Sequence, residues 1–223
     1  MKKILTLMFL ITFFLAYKNA YAVIFEWPVL DGGNGNYYDL VPLSGSTQTW
    51  QESLAEADGL TYLGLPGHLA TITSANENAF LNSKFNNGLG SQFAWFAGFE
   101  PNDDGIWKWA TGPETGIQFS NGVTATPPFN YANWGGIEPN DNKPLEDFAM
   151  FNIGTTFASI NPGQWADASP TPSSFDPVVG YLVEYEAQGQ SAAIPEPSSL
   201  WMLAFALAGI AATKKFHKFI PSI

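Results

Sequence analysis

All five acidic side chains between residues 138 and 167, together with one asparagine beside them, offer hard oxygen donors. They are Glu138, Asn140, Asp141, Glu146, Asp147 and Asp167. Carboxylate and amide oxygens are the ligands that Ca²⁺ takes, whereas zinc and copper favour nitrogen and sulfur. A solvated acidic loop is the simpler interpretation, but the eight-residue spacing from Glu138 to Glu146, followed by Asp147 and a Trp-x-Asp segment, favours a Ca²⁺ site.

The residues outside this stretch give little support for enzymatic chemistry. The chain has no cysteine, which excludes a cysteine nucleophile, a Cys-ligated zinc ion and disulfide bridges. His68 is the one histidine between residues 23 and 196, and its apolar, strand-like surroundings indicate a buried structural residue rather than a general base. A glycosidase needs two carboxylates about 5–10 Å apart, but clustered acids fit a metal better. We therefore predict a binding protein and not an enzyme.

The composition indicates one globular domain with an acidic surface. Of the 223 residues, 46% are hydrophobic and 15% are aromatic, which is enough to build a core and excludes a disordered chain. Residues 23–196 contain three lysines, no arginine and all 20 acidic residues. Such a segment repels nucleic acid and anionic membranes. Unpaired acids at this density also favour divalent cations as counter-charges.

The first 22 residues have the three parts of a secretory signal peptide. Lys2 and Lys3 precede an apolar run over residues 4–16, and Ala20-Tyr21-Ala22 follows as the small-x-small cleavage site. A membrane anchor is the alternative, but this run is shorter than the roughly 20 residues that span a bilayer. We expect cleavage after Ala22 and export of the remainder.

The last 30 residues resemble the PEP-CTERM sorting tail of Gram-negative bacteria. Pro195-Glu196-Pro197 leads into an apolar run over residues 200–212, and Lys214-Lys215 follows as a basic stop. The resemblance implies that a membrane transpeptidase of the exosortase type cuts at the box, after transient insertion of the 200–212 helix in the inner membrane. A plain C-terminal anchor is the alternative. Both interpretations put the protein at the cell surface or outside the cell.

The middle of the chain predicts an α+β domain over residues 23–186, with a spacer at 187–193 and the tail at 194–223. We expect a first strand at 37–41, a helix capped by Ser46 or Thr47, and a second helix that begins after Ser74 with Glu77 completing a capping box. We expect the buried side of that second helix to consist of Ala79, Phe80, Leu81 and Phe85. Aromatic strands follow at 93–99, 106–109, 148–153 and 181–185. The segment 111–145 is predicted to be a long functional loop.

Eight short segments, in order, resemble those of a C-type lectin-like domain over about residues 37–186. They are Gly-His-Leu-Ala-Thr-Ile at 67–72, Trp-Phe-Ala-Gly-Phe at 95–99, Trp-Lys-Trp at 107–109, Asn-Trp at 133–134, Glu-Pro-Asn at 138–140, Glu-Asp at 146–147, Gln-Trp-Ala-Asp at 164–167 and Val-Glu at 183–184. The resemblance implies two helices packed on small antiparallel sheets with a long calcium-binding loop. Phe148 and Val183 stand where animal members have cysteines.

The same resemblance implies a principal calcium site that also binds sugar. Its ligands, carried over residue by residue, are Glu138, Asn140, Glu146 and Asp167. Vicinal hydroxyls complete the coordination, and Glu-Pro-Asn is the form associated with mannose-type sugars. We also predict a cis Glu138–Pro139 bond, which would turn both flanking side chains to one side. Ala166 stands where the family has Asn, so one metal ligand and one sugar contact are missing.

An auxiliary calcium site is predicted beside the principal one. It would lie between Asp141, Glu146 and Asp147 and the acids of the loop at 100–105, where Asp104 is the best match. The sequence thus predicts an exported, calcium-dependent module that binds exopolysaccharide or cell-surface glycan. The alternative is a calcium-stabilised adhesion or structural module that uses the same loop without binding sugar.

Overall fold

A computed structural model describes residues 23–142 and 146–187. The predicted signal peptide and tail, and nearly all of the spacer, lie outside the described residues. The regular elements in chain order are β1 (Phe25–Glu26), a 3-10 turn (Val29–Asp31), β2 (Tyr37–Pro42), α1 (Trp50–Asp58), β3 (Thr61–Tyr62), β4 (Leu65–Leu69), α2 (Ala75–Phe85), β5 (Phe93–Phe99), β6 (Ile106–Trp109), β7 (Gln118–Asn121), β8 (Thr124–Ala125), β9 (Phe148–Asn152), β10 (Trp165–Ala168) and β11 (Val178–Tyr185).

The strands form a mixed sheet around the final strand. Their order is β1-β2-β11-β5-β6-β7-β8, while β9 pairs with both β5 and β10, and β4 pairs with β11 and β3. The first and last long strands, β2 and β11, are antiparallel, and β11 runs parallel to β5. The parallel pair corrects the expectation of purely antiparallel sheets. The α+β class, with two helices and a long loop in the described residues, is confirmed.

Aromatic side chains fill the core and hold the strand that carries Asp167. Trp165, on β10, is fully buried. Its ring packs edge-to-face on Phe119, Tyr131 and Trp134, with centroids 5.9, 5.6 and 5.8 Å away. Asn78 on α2 accepts a 2.8 Å hydrogen bond from the Trp165 indole. Large rings with a satisfied polar group bury much apolar area in a fixed orientation, so β10 is a rigid support.

Both helices begin at a side-chain cap, and only the cap of α2 is the predicted residue. Thr49, rather than Ser46 or Thr47, caps α1 and forms a capping box with Glu52. Ser74 caps α2 as predicted, with its hydroxyl accepting the Glu77 N–H at 3.2 Å. The Glu77 carboxylate departs from the expected box, because it accepts from Thr73 instead of the cap residue.

The buried face of α2 differs from the apolar pattern. Ala79 is exposed and Phe80 is half-buried, whereas Glu77, Asn78, Leu81 and Phe85 are buried. Two polar side chains therefore face inward, where they find partners from distant strands. The segment 111–145 also differs from the expected loop, because β7 and β8 form a short antiparallel hairpin within it.

Candidate functional site

The backbone before Glu138 is bonded to β10. Trp165 donates its N–H to the carbonyl of Asn133 and accepts from Gly135, both at 2.9 Å, and the Glu138 N–H reaches the Gly135 carbonyl at 2.8 Å. These bonds hold the start of the acidic loop against β10. The Glu138–Pro139 peptide bond is cis, as predicted.

Asp167 ties the same loop to β10 from the other side. Its two carboxylate oxygens accept the N–H groups of Asn140 at 3.1 Å and Asp141 at 2.7 Å. Asp141 has a φ of 43°, a left-handed conformation that short Asp and Asn side chains tolerate better than most residues. Asn142 donates its N–H to Glu146 at 2.9 Å. The loop backbone is thus wrapped around the carboxylates that the sequence predicts as ligands.

The four residues implied as principal ligands line one surface cavity of about 490 Å³. Glu138, Glu146 and Asp167 are each less than a tenth exposed, and the Asn140 amide donates to Glu138. Ala166 also lines the cavity with a buried methyl group. The rim carries two apolar side chains, Ile137 and Phe175, which are 79% and 70% exposed. Buried oxygen donors and exposed apolar side chains therefore line the same cavity.

Carboxyl groups are crowded around Glu138. Burial, a hydrogen bond with Asp167 and the charges of Asp167 and Glu146 raise the pKa of Glu138 to about 9. Two carboxyl groups in hydrogen-bonding contact need a proton or another cation between them. A hard divalent cation supplies that positive charge without requiring protonation. The donor set, which is oxygen throughout, fits Ca²⁺.

The acids predicted for an auxiliary site are only partly brought together. Burial and the charges of Asp103, Asp141 and Asp167 raise the pKa of Asp147, so Asp103 is a neighbour that the sequence did not single out. Asp104 is exposed and accepts the N–H of Ile106 at 3.1 Å, as in an ordinary turn.

Glu100 joins this second group of acids through the backbone. Its N–H donates to the carbonyl of Asp147 at 2.8 Å, and its carboxylate accepts the Gly105 N–H. Burial is the main cause that raises the pKa of Glu100, and the charges of Asp147 and Asp103 add to it. The repeated Glu-Pro-Asn-Asp segments at 100 and 138 thus lie on two neighbouring acidic turns.

The tightest group of metal-ligating side chains lies elsewhere. Within the described ranges, the one set of three His, Asp or Glu residues whose ligand atoms all lie within 4.8 Å of one another is His68, Glu184 and Glu186. The loop carboxylates that the structure describes do not form such a group of three, and the oxygens of Asp167 and Glu146 accept backbone N–H groups. His68 is 6% exposed, as its apolar setting predicts. The sequence carried one usable signal for the group, the same-face spacing of Glu184 and Glu186.

The C-terminal residues match a known sorting signal. Residues 193–215 match the family model described as the PEP-CTERM protein-sorting motif. The chain carries a PEP-CTERM sorting motif. Such a motif indicates export and a surface or extracellular location. Over residues 23–142 and 146–187, no helix has the length and apolar character needed to cross a bilayer, and the predicted 200–212 helix lies outside these ranges.

The central domain is similar to part of a much longer protein and to several solved domains. Over 160 residues it is 35% identical to Halomucin of Haloquadratum walsbyi; the match covers 70% of this chain but only 2% of the relative. Among solved structures it is similar to the C-type lectin CEL-I from Cucumaria echinata, at 18% identity and a TM-score of 0.46 over 68% of this chain and 90% of that one. It is also similar to the mouse scavenger receptor C-type lectin carbohydrate-recognition domain, at 18% identity and a TM-score of 0.44. That match covers 70% of this chain and 91% of the other.

Proposed function

We propose that the chain is an exported, calcium-dependent carbohydrate-binding module whose site is the cavity at the acidic loop. The observation that carries this proposal is that Glu138, Asn140, Glu146 and Asp167 line one cavity. These are the four residues that the C-type lectin resemblance implies as ligands. Bound calcium would offer open coordination positions to two neighbouring hydroxyl groups of a sugar.

The side chains around the ion would orient the sugar. Carboxylate oxygens of Glu138 and Glu146 accept from hydroxyl groups, and the Asn140 amide can donate to one. The exposed ring of Phe175 at the rim offers a flat apolar face against which the C–H face of a sugar ring can pack. Ala166 contributes neither a donor nor an acceptor, so we expect weak monosaccharide binding and a preference for extended glycans such as exopolysaccharide.

A second calcium ion is proposed between Asp141, Glu146 and Asp147. The raised pKa of Asp147, with nearby charges on Asp103 and Asp141, supports a need for positive charge there. Asp104 was carried over from the resemblance, but Asp103 has the stronger electrostatic contact with Asp147. We therefore propose Asp103 beside Asp104 as a ligand from the earlier loop.

Glycan-array binding tests the proposed function. We expect binding of the full chain in millimolar Ca²⁺, loss of that binding in EDTA, and recovery when Ca²⁺ is restored. Phe175→Ala should weaken the signal severalfold, whereas Leu30→Ala, which removes a fully exposed apolar side chain, should not. Glycan binding that survives EDTA would overturn the calcium dependence.

Ala166 favours a second candidate function. A buried methyl at this position of the cavity removes a contact that sugar recognition in the family uses. The alternative is therefore a calcium-stabilised adhesion or structural module that binds a partner other than sugar at the same loop. Stabilisation by Ca²⁺ with no signal on any glycan would favour it.

We further propose the chain organisation that the sorting motif supports. Residues 1–22 are removed on export, residues 23–186 form the binding domain, residues 187–193 are a spacer, and residues 194–223 are a tail processed by an exosortase-type transpeptidase. Mass spectrometry of the protein from its host should find a C terminus near Glu196. An intact Ile223 on the surface protein would instead support a plain anchor.

A further inference from the structure

Strand pairing brings one histidine and two glutamates together at the C-terminal end of β11. His68 on β4 is the register partner of Glu184 on β11. Glu186 follows two positions later, and side chains two apart on an extended chain point to the same face. The Nε2 atom of His68 lies 3.2 Å from Glu186 Oε1. The ligand atoms of all three residues lie within 4.8 Å of one another.

Hydrogen bonds to the surroundings fix each of the three side chains. His68 Nδ1 donates to the carbonyl of Leu69 at 2.8 Å. The Asn36 amide donates to both glutamates, at 2.7 Å to Glu184 and 3.1 Å to Glu186. Partners of this kind, which fix the histidine tautomer and the carboxylate orientation, surround metal ligands in proteins. The group is thus held in place before any ion arrives.

The contact between His68 and Glu186 requires a positive charge. Because Leu69 offers only a carbonyl oxygen, His68 Nδ1 must carry the ring proton. The Nε2 atom then faces a carboxylate oxygen, and a lone pair cannot lie 3.2 Å from another lone pair without a cation between them. That cation is either a second ring proton or a metal ion.

The local charge balance favours a doubly charged cation over a proton. The Tyr38 hydroxyl is bonded to both Glu184 and Glu77, at 2.8 and 2.7 Å, so two buried carboxyl groups meet at one hydroxyl. Glu114 is a third buried carboxylate nearby, bonded to Thr71, which also contacts Glu184. One imidazolium therefore faces the carboxylates of both Glu184 and Glu186, with two more carboxyl groups buried close by. A divalent ion bound to neutral imidazole supplies one more positive charge than the ring proton does.

We propose that His68, Glu184 and Glu186 form a binding site for a divalent transition metal of the zinc type. The imidazole nitrogen favours such an ion over Ca²⁺, which takes oxygen ligands. Two ligands about 2.0–2.1 Å from a tetrahedral ion lie about 3.3 Å apart, close to the observed 3.2 Å between His68 Nε2 and Glu186 Oε1. The Glu186 side chain is 24% exposed, which gives the ion a path from solvent and leaves a coordination position for water.

Titration calorimetry with ZnCl₂ tests this site on the full chain, after removal of metals and in excess CaCl₂. We expect one zinc ion bound by the parent chain and by His217→Gln, which removes the histidine outside residues 23–196. Glu186→Gln keeps the side-chain shape and should weaken zinc binding at least tenfold. His68→Gln should abolish binding.

The controls separate the proposal from other origins of a zinc signal. Glu138→Gln removes a loop carboxylate and should leave zinc affinity unchanged, so a loss in this variant would assign the ion to the loop. If His68→Gln fails to fold, Glu186→Gln still decides the question. The proposal would be overturned if the parent chain bound no zinc, or if Glu186→Gln left the zinc affinity unchanged. His68 and Glu186 would then form an ion pair only.

Discussion

The two acidic clusters of this domain differ in what holds them. In the loop cluster, Asp167 and Glu146 accept backbone N–H groups of residues 140–142, and Glu138 accepts the side-chain amide of Asn140. The strand cluster of His68, Glu184 and Glu186 is oriented by strand pairing and side-chain bonds. We therefore expect removal of a loop acid to affect mainly the loop, and removal of Glu184 to lower the stability of the folded domain. We infer that the loop carboxylates serve binding, whereas the strand carboxylates also serve folding.

The clusters also differ in the ions that they suit. The loop offers oxygen alone and lies in a cavity with exposed apolar side chains at its rim. The strands offer one nitrogen with two oxygens, and both His68 and Glu184 are buried. Oxygen-rich, accessible sites suit Ca²⁺ and its exchangeable ligands, while a mixed nitrogen and oxygen set suits a transition metal.

The largest effect is expected for Glu184→Ala. This side chain is 2% exposed and accepts hydrogen bonds from Asn36, Tyr38 and Thr71. Its loss leaves those donors unsatisfied beside the remaining charges, which should cost about 3–5 kcal/mol of unfolding free energy. Urea unfolding in metal-free buffer measures this cost. If Glu184→Ala loses less unfolding free energy than the loop variant Asp167→Asn, the proposal that the strand carboxylates serve folding is contradicted.

The next effect concerns calcium at the loop. Glu146→Gln keeps the shape of a proposed ligand and removes its charge, so calcium affinity should fall about tenfold or more by titration calorimetry. Asp31→Asn, which removes an exposed acid far from the loop in sequence, is the matched control. Equal affinities for the two variants would refute the ligand assignment.

A third effect is a loss of stability with rising pH in metal-free buffer. Burial and the charge of Glu184 raise the pKa of Glu77 to about 8, so the stability that this group gives at low pH is lost as pH rises through 8. Burial alone would lower the pKa of His68, but the Glu186 hydrogen bond and the Glu184 charge raise it to about 9. The stability that protonated His68 contributes is fully present below about pH 6.5. It is lost as the pH rises through about 9.

Glu77 and His68 therefore both predict that stability falls as the pH rises from 6 to 9. Tm should fall across this range, and Glu77→Gln should reduce the fall while Asp31→Asn should not. Scanning calorimetry at a series of pH values measures the slope. A Tm that rises with pH in metal-free buffer would show that the strand cluster does not control stability in this way.

The smallest expected effect is a gain in calcium and sugar affinity when Ala166 is replaced. If Ala166 faces the ion, Ala166→Asn adds one oxygen ligand and one amide donor. A hydrogen bond worth about 0.5–1.5 kcal/mol should tighten mannose-type binding severalfold to tenfold. Tighter calcium binding without any monosaccharide binding would favour the adhesion function. No gain in either would show that the Ala166 side chain points away from the ion.

Local sequence patterns predicted much of this fold. The aromatic runs predicted the strands Phe93–Phe99 and Ile106–Trp109 with the bounds that are observed, because aromatic residues with turn residues on both sides carry a strong strand signal. The predicted Ser74 cap is likewise confirmed. The short hairpin of β7 and β8 was missed, since strands of four and two residues have too little periodicity to stand out.

Long-range pairing is what the sequence could not supply. Apolar periodicity pointed to Ala79 and Phe80 as buried, yet Glu77 and Asn78 face inward because Tyr38 and Trp165 come from distant strands to bond them. The His68–Glu184 pairing is hidden for the same reason. The loop ligands were named through a family resemblance, and their occupancy by calcium stays a prediction.

Thermal unfolding with and without calcium tests the central claim most directly. At 100 times its Kd, Ca²⁺ stabilises the folded chain by about 2.7 kcal/mol, which for a domain of this size raises Tm by about 5–10 °C. We predict that shift for the metal-stripped full chain when CaCl₂ is added, and its near disappearance in Asp167→Asn. Equal melting curves with and without CaCl₂, or an undiminished shift in Asp167→Asn, would contradict a calcium site at the acidic loop.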